Sequence, residues 1–201
     1  MLRQQQNSTT RGADALLFAR NFFRYPRMLG SVLPSSRFLI KKLLKEIDWT
    51  HARVIVEYGP GLGGITAEVL RHMRPDAILI AIETNSQFVA RLRSSHDDHR
   101  LRLVEASAES VLEVLQHHGH GTADYIISGI PFSTMPAAVR DQILRDTFAA
   151  LEPGGSFLVY QFSSQLRGDL QRIFGYVRRK FEVFNILPAH LFFCRRTAIT
   201  G

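Results

Sequence analysis

The sequence lacks the features expected of a secreted or membrane-spanning protein. Its 201 residues include one cysteine, Cys194, so no internal disulfide can form and a reducing compartment fits. The longest apolar runs, 77–82 and 156–162, are the size of a strand, whereas a membrane-spanning helix needs about 18 residues. The N-terminus shows no apolar signal-peptide core. We therefore expect a cytoplasmic protein of the size of one domain.

Acidic residues are scarce in the first 45 residues, which contain nine basic residues and a single acid, Asp14. The net charge of the whole chain is +7, so this segment holds the entire excess. Such a block suits an anionic partner, either nucleic acid or an anionic bilayer surface, and a solvated basic face is the alternative. The charge pattern alone does not separate lipid from RNA.

Two N-terminal helices are predicted within a segment that we place at residues 1–48. Residues 14–25 carry aromatic and basic side chains at helical spacing, with Asp14 as the N-cap and Pro26 as the end. This helix either lies in a membrane interface or packs on the core or on a second subunit, and both alternatives stay open. A second helix is predicted at 36–47. The predicted membrane contacts are Phe18, Arg20, Phe22, Arg24 and Arg27.

Strands and helices alternate regularly from residue 53 onward. Strands are predicted at 54–58, 77–83, 100–106, 123–129 and 156–162, and helices at 64–73, 85–95, 109–119, 136–151 and 163–176. The chain ends in two strands, 180–187 and 189–197, which are joined through Pro188 as an antiparallel pair. The alternation indicates an α/β domain over residues 49–201, with a mostly parallel seven-stranded sheet and helices on both faces.

The stretch VIVEYGPGLGG, residues 54–64, runs from a buried strand into a turn with four glycines and one proline. Ligands of such sheets bind outside the carboxyl ends of the strands, where glycines let the backbone approach closely. Glu57 lies just before the glycines, and its charge would repel a pyrophosphate. The stretch therefore favours a cationic nucleoside ligand without phosphates over a dinucleotide.

Two further positions extend this predicted nucleoside site. Glu83 ends the second strand, where a carboxylate is suited to hold two ribose hydroxyls. Ser107 and Ala108 follow the third strand and can offer a hydroxyl and a backbone N–H to an adenine edge. An ordinary surface position remains the alternative for each of them.

The VEYGPGLG run, the acid that ends the second strand and LEPGGSFLVY at 151–160 resemble class I S-adenosylmethionine-dependent methyltransferases, which have a Rossmann-like fold. The resemblance covers roughly residues 50–165 and implies S-adenosylmethionine as cofactor, with S-adenosylhomocysteine as product. In that family the carboxylate and the glycine loop receive the methionine part. The implied cofactor-binding residues are Glu57, Tyr58, Gly59, Pro60, Gly61, Gly63, Glu83, Thr84, Ser107, Ala108 and Gly129.

The fourth strand should carry the substrate-facing motif, and it reads IISGIPFSTMP at 126–136. Ribosomal RNA adenine dimethylases place N-[LI]-P-[YF] here, and the asparagine side chain accepts a hydrogen bond from the amino group of the base. Gly129 stands at the asparagine position and has no side chain to do so. Pro131 and Phe132 are the predicted substrate contacts here, and the missing asparagine counts against base methylation.

The run NFFRYPRMLGSVLPSSRFLIKKL, at 21–43, resembles the start of bacterial phospholipid and ornithine-lipid N-methyltransferases. GIPFSTMP, QFSS at 161–164 and NILPAH at 185–190 also match their pattern. The resemblance implies methyl transfer to the head-group amine of phosphatidylethanolamine or an ornithine lipid by direct in-line displacement. It also implies a peripheral position at the inner face of the cell membrane.

Several roles follow from this resemblance, and alternatives stay open. The loop that would grip the lipid and its phosphate comprises Ser35, Ser36 and Arg37. The candidate proton acceptors are Tyr25, Tyr160 and His190. The partners expected are an anionic membrane and its lipid, with no DNA and no metal, and the chain is expected to be a monomer or weak oligomer. The alternatives are an rRNA adenine N-methyltransferase, with RNA as partner, or a non-catalytic membrane- or RNA-binding module.

Overall fold

A computed structural model describes residues 35–185 and 187–197 of the chain. Its centre is a seven-stranded sheet in the order β3-β2-β1-β4-β5-β7-β6. The strands are β1 Val54–Tyr58, β2 Ile78–Glu83, β3 Leu101–Glu105, β4 Ala123–Ser128, β5 Leu151–Gln161, β6 Val177–Glu182 and β7 Ala189–Arg195. Strands β1 to β5 are parallel, and β7 pairs antiparallel with both β5 and β6. The predicted Rossmann-like fold with antiparallel C-terminal strands is confirmed.

Six helices cover the two faces of the sheet in the described part of the chain. They are α1 Arg37–Leu44, α2 Gly64–His72, α3 Ser86–Ser95, α4 Val111–His117, α5 Ala137–Ala150 and α6 Leu166–Phe174. Helices α1 and α3 each begin at a capping residue: the Ser36 and Asn85 side chains accept hydrogen bonds from backbone N–H groups of their first turns. The crossovers between parallel strands place their helices on both faces of the sheet.

The sheet separates two apolar clusters, because successive side chains of a strand point to opposite faces. One cluster joins α4, α5 and α6 to the face that carries Val56, Tyr58 and Phe157. The other joins α1 and α2 to the face that carries Ile55 and Tyr160. Because the sheet lies between the two clusters, only side chains on the same face can meet at its carboxyl edge.

Helix α1 is an integral part of the second cluster. Leu39 and Leu43 are fully buried against α2 and β5, and Lys42 reaches across to the carbonyl of Phe181 and the carboxylate of Glu182. The helix was predicted at 36–47. The predicted helix at 14–25 lies outside the described residues, so the division at residue 48 stays a prediction.

Two elements differ from the sequence-based expectation. Strand β5 begins at Leu151, five residues earlier than predicted, because the EPGG run continues the strand with a register shift against β4. The last two strands form the predicted antiparallel pair, but β6 ends at Glu182, five residues before the predicted end at 187. Within the sheet β7 lies between β5 and β6, and its residues 191–194 are buried on both faces, whereas β6 is the edge strand.

No helix within residues 35–185 and 187–197 is both long and apolar enough to cross a membrane.

Candidate active site

The glycine loop after β1 forms the floor of a site at the carboxyl edge of the sheet. The Gly59 N–H donates to the Ile82 carbonyl at 2.9 Å, and the Gly63 N–H donates to the Pro60 carbonyl at 2.9 Å. Gly59 has a φ of +66°, and a Cβ there would lie 2.7 Å from Cγ2 of Ile130. Only glycine fits this position without moving the loop after β4.

Glu83 ties the end of β2 to this loop. Its Oε2 accepts from the Gly61 N–H at 3.2 Å and its Oε1 accepts from the Asn85 N–H at 2.9 Å. The residue is buried. The carboxylate is therefore held in one orientation at the cavity wall, as a group that binds two neighbouring hydroxyls must be.

Glu57 is a buried carboxyl group with a single side-chain partner among the hydrogen bonds of the described residues. Its Oε2 accepts from the Thr66 hydroxyl at 2.7 Å. Burial and, to a smaller extent, the charge of Glu83 raise the pKa of Glu57 to about 7, although the Thr66 hydrogen bond opposes the shift. A cationic group placed beside Glu57 would restore its ionised form.

A cavity of about 190 Å³ opens beside Gly59 and Glu83. Of the residues predicted from the sequence, the structure brings six to its lining: Gly59, Glu83, Thr84, Ser107, Ala108 and Pro131. The rest of the lining is apolar and comprises Ile82, Ala106, Ile130, Met135 and Ile143. An apolar slot with a fixed carboxylate at one end suits a nucleoside base with its ribose.

Gly129 follows β4 directly and lies under the ring of Tyr160. Its N–H donates to the Tyr58 carbonyl at 3.1 Å. A Cβ on Gly129 would lie 2.6 Å from the Tyr160 hydroxyl oxygen and 3.0 Å from the ring. The tyrosine hydroxyl therefore occupies the space in which an asparagine side chain would have to start.

Tyr160 links this site to the loop before α1. The Ser35 hydroxyl donates to the Tyr160 hydroxyl at 3.1 Å. Burial raises the pKa of Tyr160, the charge of Glu57 adds to the rise, and the Ser35 hydrogen bond opposes it. The phenol therefore stays protonated at neutral pH.

The neighbouring Ser36 fastens the loop to the β6–β7 connection. Its N–H donates to Oδ1 of Asn185 at 2.8 Å, and its hydroxyl donates to the Phe184 carbonyl at 2.5 Å. The two segments are 148 residues apart in sequence. Ser35 and Ser36 therefore connect the cavity rim with the last hairpin.

The side chains of three other predicted residues point away from the cavity. Tyr58 points to the α5 face, where its hydroxyl meets that of Thr147 at 3.2 Å, so it presents only its backbone. Phe132 is fully buried against Phe157 and exposes nothing to a substrate. His190 packs between Phe181 and Phe192 on the face opposite Tyr160.

Arg37 faces outward, where it lines a surface cleft of about 600 Å³ with residues of α2. The remaining predicted contacts, Phe18, Arg20, Phe22, Arg24, Tyr25 and Arg27, lie outside the described residues.

Sequence reasoning missed two positioning residues. Thr66 holds the Glu57 carboxyl, and no spacing rule links a threonine in α2 to the preceding strand. Gln161 is buried, and its side-chain amide donates to the Ile130 carbonyl at 2.7 Å. The amide thereby fixes the GIP turn that borders the cavity. The QFSS run was part of the lipid-methyltransferase pattern, so that match was the available signal for Gln161.

The residues present fit S-adenosylmethionine. Glu83 matches the ribose hydroxyls, the apolar slot matches adenine, and the incompletely paired carboxyl of Glu57 matches the cationic methionine end. The bare backbone at Gly59 lets Ile130, in the loop after β4, pack against the glycine loop at the cavity wall.

Comparison with known proteins gives the following matches. The family model described as the methyltransferase small domain matches residues 30–186. The ornithine lipid N-methyltransferase of Singulisphaera acidiphila is 30% identical over 184 residues, which cover 90% of this chain and 96% of that protein.

Two solved structures match in fold. The precorrin-6y C5,15-methyltransferase of Geobacter metallireducens GS-15 has a TM-score of 0.66 at 14% identity, covering 81% of this chain and 89% of that one. The magnesium protoporphyrin IX methyltransferase of Synechocystis PCC 6803, solved with S-adenosylmethionine bound, has a TM-score of 0.61 at 9% identity. That match covers 80% of this chain and 77% of the other.

The buried carboxyl of Glu57 should make the ligand-free protein sensitive to pH. Because folding raises its pKa from 4.5 to about 7, its favourable contribution is present below about pH 4.5 and is lost as the pH rises through about 7. The loss amounts to about 3 kcal/mol. Glu57→Gln, which keeps the acceptor for Thr66, should therefore raise the melting temperature at pH 8 by several degrees and change it little at pH 4.5.

The control for this experiment is Glu113→Gln on the exposed face of α4, which should leave the melting temperature unchanged at both pH values. Equal melting temperatures of Glu57→Gln and the unsubstituted protein at pH 8 would show that Glu57 is not destabilised by burial.

Proposed function

The chain belongs to the methyltransferase small domain family and is an S-adenosylmethionine-dependent methyltransferase, and we propose that its acceptor is the head-group amine of a membrane lipid. The observation that carries the proposal is the relation to an ornithine lipid N-methyltransferase over nearly the full length of both chains. The two acceptors that we propose are ornithine lipid and phosphatidylethanolamine. In this proposal the protein works at the inner face of the cell membrane as a peripheral enzyme.

The surroundings of Gly129 support an aliphatic amine rather than a base. Recognition of a base amino group needs a side-chain acceptor at this position, and the Tyr160 hydroxyl already fills the space, 2.6 Å from where a Cβ would lie. Phe132, the aromatic residue that would stack on a base, is fully buried in the core. The polar group beside Gly129 is the Tyr160 hydroxyl, and a single hydroxyl suits a compact primary amine.

S-adenosylmethionine, when bound, supplies an electrophilic sulfonium methyl group that an amine can take by direct displacement. The chain contributes binding and orientation, which can account for most of the acceleration of such a transfer. Glu57 and Glu83 hold the two polar parts of the cofactor, and the apolar lining of the cavity keeps water from its base.

We assign the orientation of the acceptor amine to Tyr160. Its phenol stays protonated at neutral pH, because burial and the Glu57 charge both raise its pKa. It therefore accepts a hydrogen bond from an amine N–H and leaves the nitrogen lone pair free, while the proton of the ammonium form leaves to water. His190 lies on the other face of the sheet, so in this proposal it takes no part.

The acceptor is tested by offering radiolabelled S-adenosylmethionine with three substrates in parallel: phosphatidylethanolamine vesicles, ornithine-lipid vesicles and bulk ribosomal RNA. We expect label in one of the lipids. Glu83→Ala should abolish the labelling, because the ribose hydroxyls then lack the carboxylate that binds them. Glu105→Ala, at the paired position of β3, should retain the labelling. Label only in RNA would contradict the lipid proposal, and label in none would contradict both.

Replacement of Tyr160 by Phe tests its assignment. Loss of one orienting hydrogen bond should lower kcat about ten-fold, and the Kd for the cofactor should stay unchanged. The control is Tyr125→Phe, because the Tyr125 hydroxyl accepts from the Asp48 N–H at the opposite edge of the sheet. A drop in cofactor affinity with unchanged kcat would contradict an orienting role for Tyr160.

A further inference from the structure

Exposed apolar side chains are concentrated at one place in the described part of the chain. Of the six large hydrophobic side chains exposed in the described residues, five lie on α1, at the end of β6 or in the β6–β7 connection, and the sixth, Tyr176, precedes β6. The other five form what we call the rim surface: Phe38, Phe181, Val183, Phe184 and Leu187. Phe184 is 69% exposed, and its ring contacts that of Phe38 at 5.7 Å between centroids.

The rim surface lies at the same edge of the sheet as the candidate active site. His190 at the start of β7 pairs with Gln161 at the carboxyl end of β5, so the connection before β7 emerges at the carboxyl edge. Phe184 accepts a hydrogen bond from Ser36, and the adjacent Ser35 donates to Tyr160. Two neighbouring serines thus separate the apolar surface from the proposed acceptor site.

The backbone of the rim surface already has internal hydrogen-bond partners. The Phe184 N–H donates to the Glu182 carboxylate at 2.8 Å, and its carbonyl accepts from Ser36. The carbonyl of Phe181 accepts from Lys42, and that of Leu187 accepts from the Asn185 amide. A loop with satisfied backbone groups can enter a low-dielectric environment without leaving polar groups unpaired.

Charge around the rim surface points to an anionic layer. Arg37 and Lys41 are exposed on α1, Lys45 is exposed directly after it, and the helix has no acidic residue. The preceding 34 residues join the described chain at Ser35, beside this surface, and carry five arginines against one acid. Exposed apolar side chains ringed by basic residues match the boundary between acyl chains and anionic head groups.

We propose that the rim surface inserts into an anionic bilayer and so presents the Tyr160 site to lipid head groups. The choice of a bilayer as partner rests on the proposed lipid substrate, whereas the surface itself follows from the geometry. Insertion at the edge of the site would let a head-group amine reach Tyr160 while its acyl chains stay in the membrane.

The test uses the full chain and vesicles of phosphatidylglycerol and phosphatidylcholine, which contain no acceptor amine, so that binding is measured apart from methyl transfer. Val183→Ser combined with Phe184→Ser should weaken co-sedimentation with these vesicles at least ten-fold. Tyr176→Ser, at a 59% exposed side chain outside the surface, is the matched control and should bind within two-fold of the unsubstituted chain. Each basic residue of α1 replaced by Ala should weaken binding about five-fold at low salt.

A fluorescence measurement provides a second readout of insertion. Phe184→Trp in a Trp49→Phe background leaves one tryptophan, since the chain contains only Trp49. Brominated acyl chains should quench it. Absence of quenching, or equal vesicle binding by the double serine variant and the control, would overturn the proposal. So would a dimer of the unsubstituted chain that the double variant abolishes, because a second copy would then cover the surface.

The outcomes separate the rim surface from the proposed function. If vesicle binding depends on Phe184 but no lipid is methylated in any assay, the insertion of the rim surface is supported and the proposal of a lipid acceptor is rejected. Methyl transfer to lipid in detergent micelles, with vesicle binding indifferent to Phe184, supports the acceptor and rejects the surface. The double serine variant should methylate micellar lipid at the unsubstituted rate, because neither side chain touches the cavity.

Discussion

Two carboxyl groups at the ends of adjacent parallel strands determine which kind of ligand the site can bind. Glu57 and Glu83 point to the same face of the sheet, because Glu57 pairs in register with Ala81, two residues before Glu83. Both are buried, and the charge of Glu83 helps to raise the pKa of Glu57. The fold tolerates the pair only because Thr66 and the backbone N–H groups of Gly61 and Asn85 hold them. A ligand that places a cationic group beside Glu57 and hydroxyl groups on Glu83 would offset the cost of burying the two carboxyl groups, and S-adenosylmethionine carries both kinds of group.

Tyr160 joins this cofactor site to the remainder of the chain. It stands on the same face as the two carboxylates, closes over Gly129, and takes the hydroxyl of Ser35. Ser36 then holds the connection before β7. Residues 35–37 and 185–190, which belong to segments that match the lipid-methyltransferase pattern far apart in the sequence, therefore meet in the structure.

Local patterns predicted the parts of the site that depend on backbone position. The glycine loop and Glu83 follow directly from a strand that ends in a turn, and the cavity contains both. The side chain of Tyr58 points away from Glu57, because successive side chains of a strand alternate between the two faces. The ring of Phe132 packs in the core, because the short helical turn after β4 directs it there. The absence of asparagine at Gly129 was evident in the sequence, but its cause, Tyr160 from β5, required the tertiary structure.

We infer that the cofactor lies between Glu57 and Glu83 with its reactive end directed at Tyr160. A crystal structure of the chain with S-adenosylhomocysteine tests this directly. We expect both ribose hydroxyls on Glu83, the amino group on the Glu57 side, and the sulfur beside Gly129, open toward the Tyr160 hydroxyl. A sulfur that faces away from Tyr160, or a ligand in the cleft beside Arg37, would contradict this placement of the cofactor.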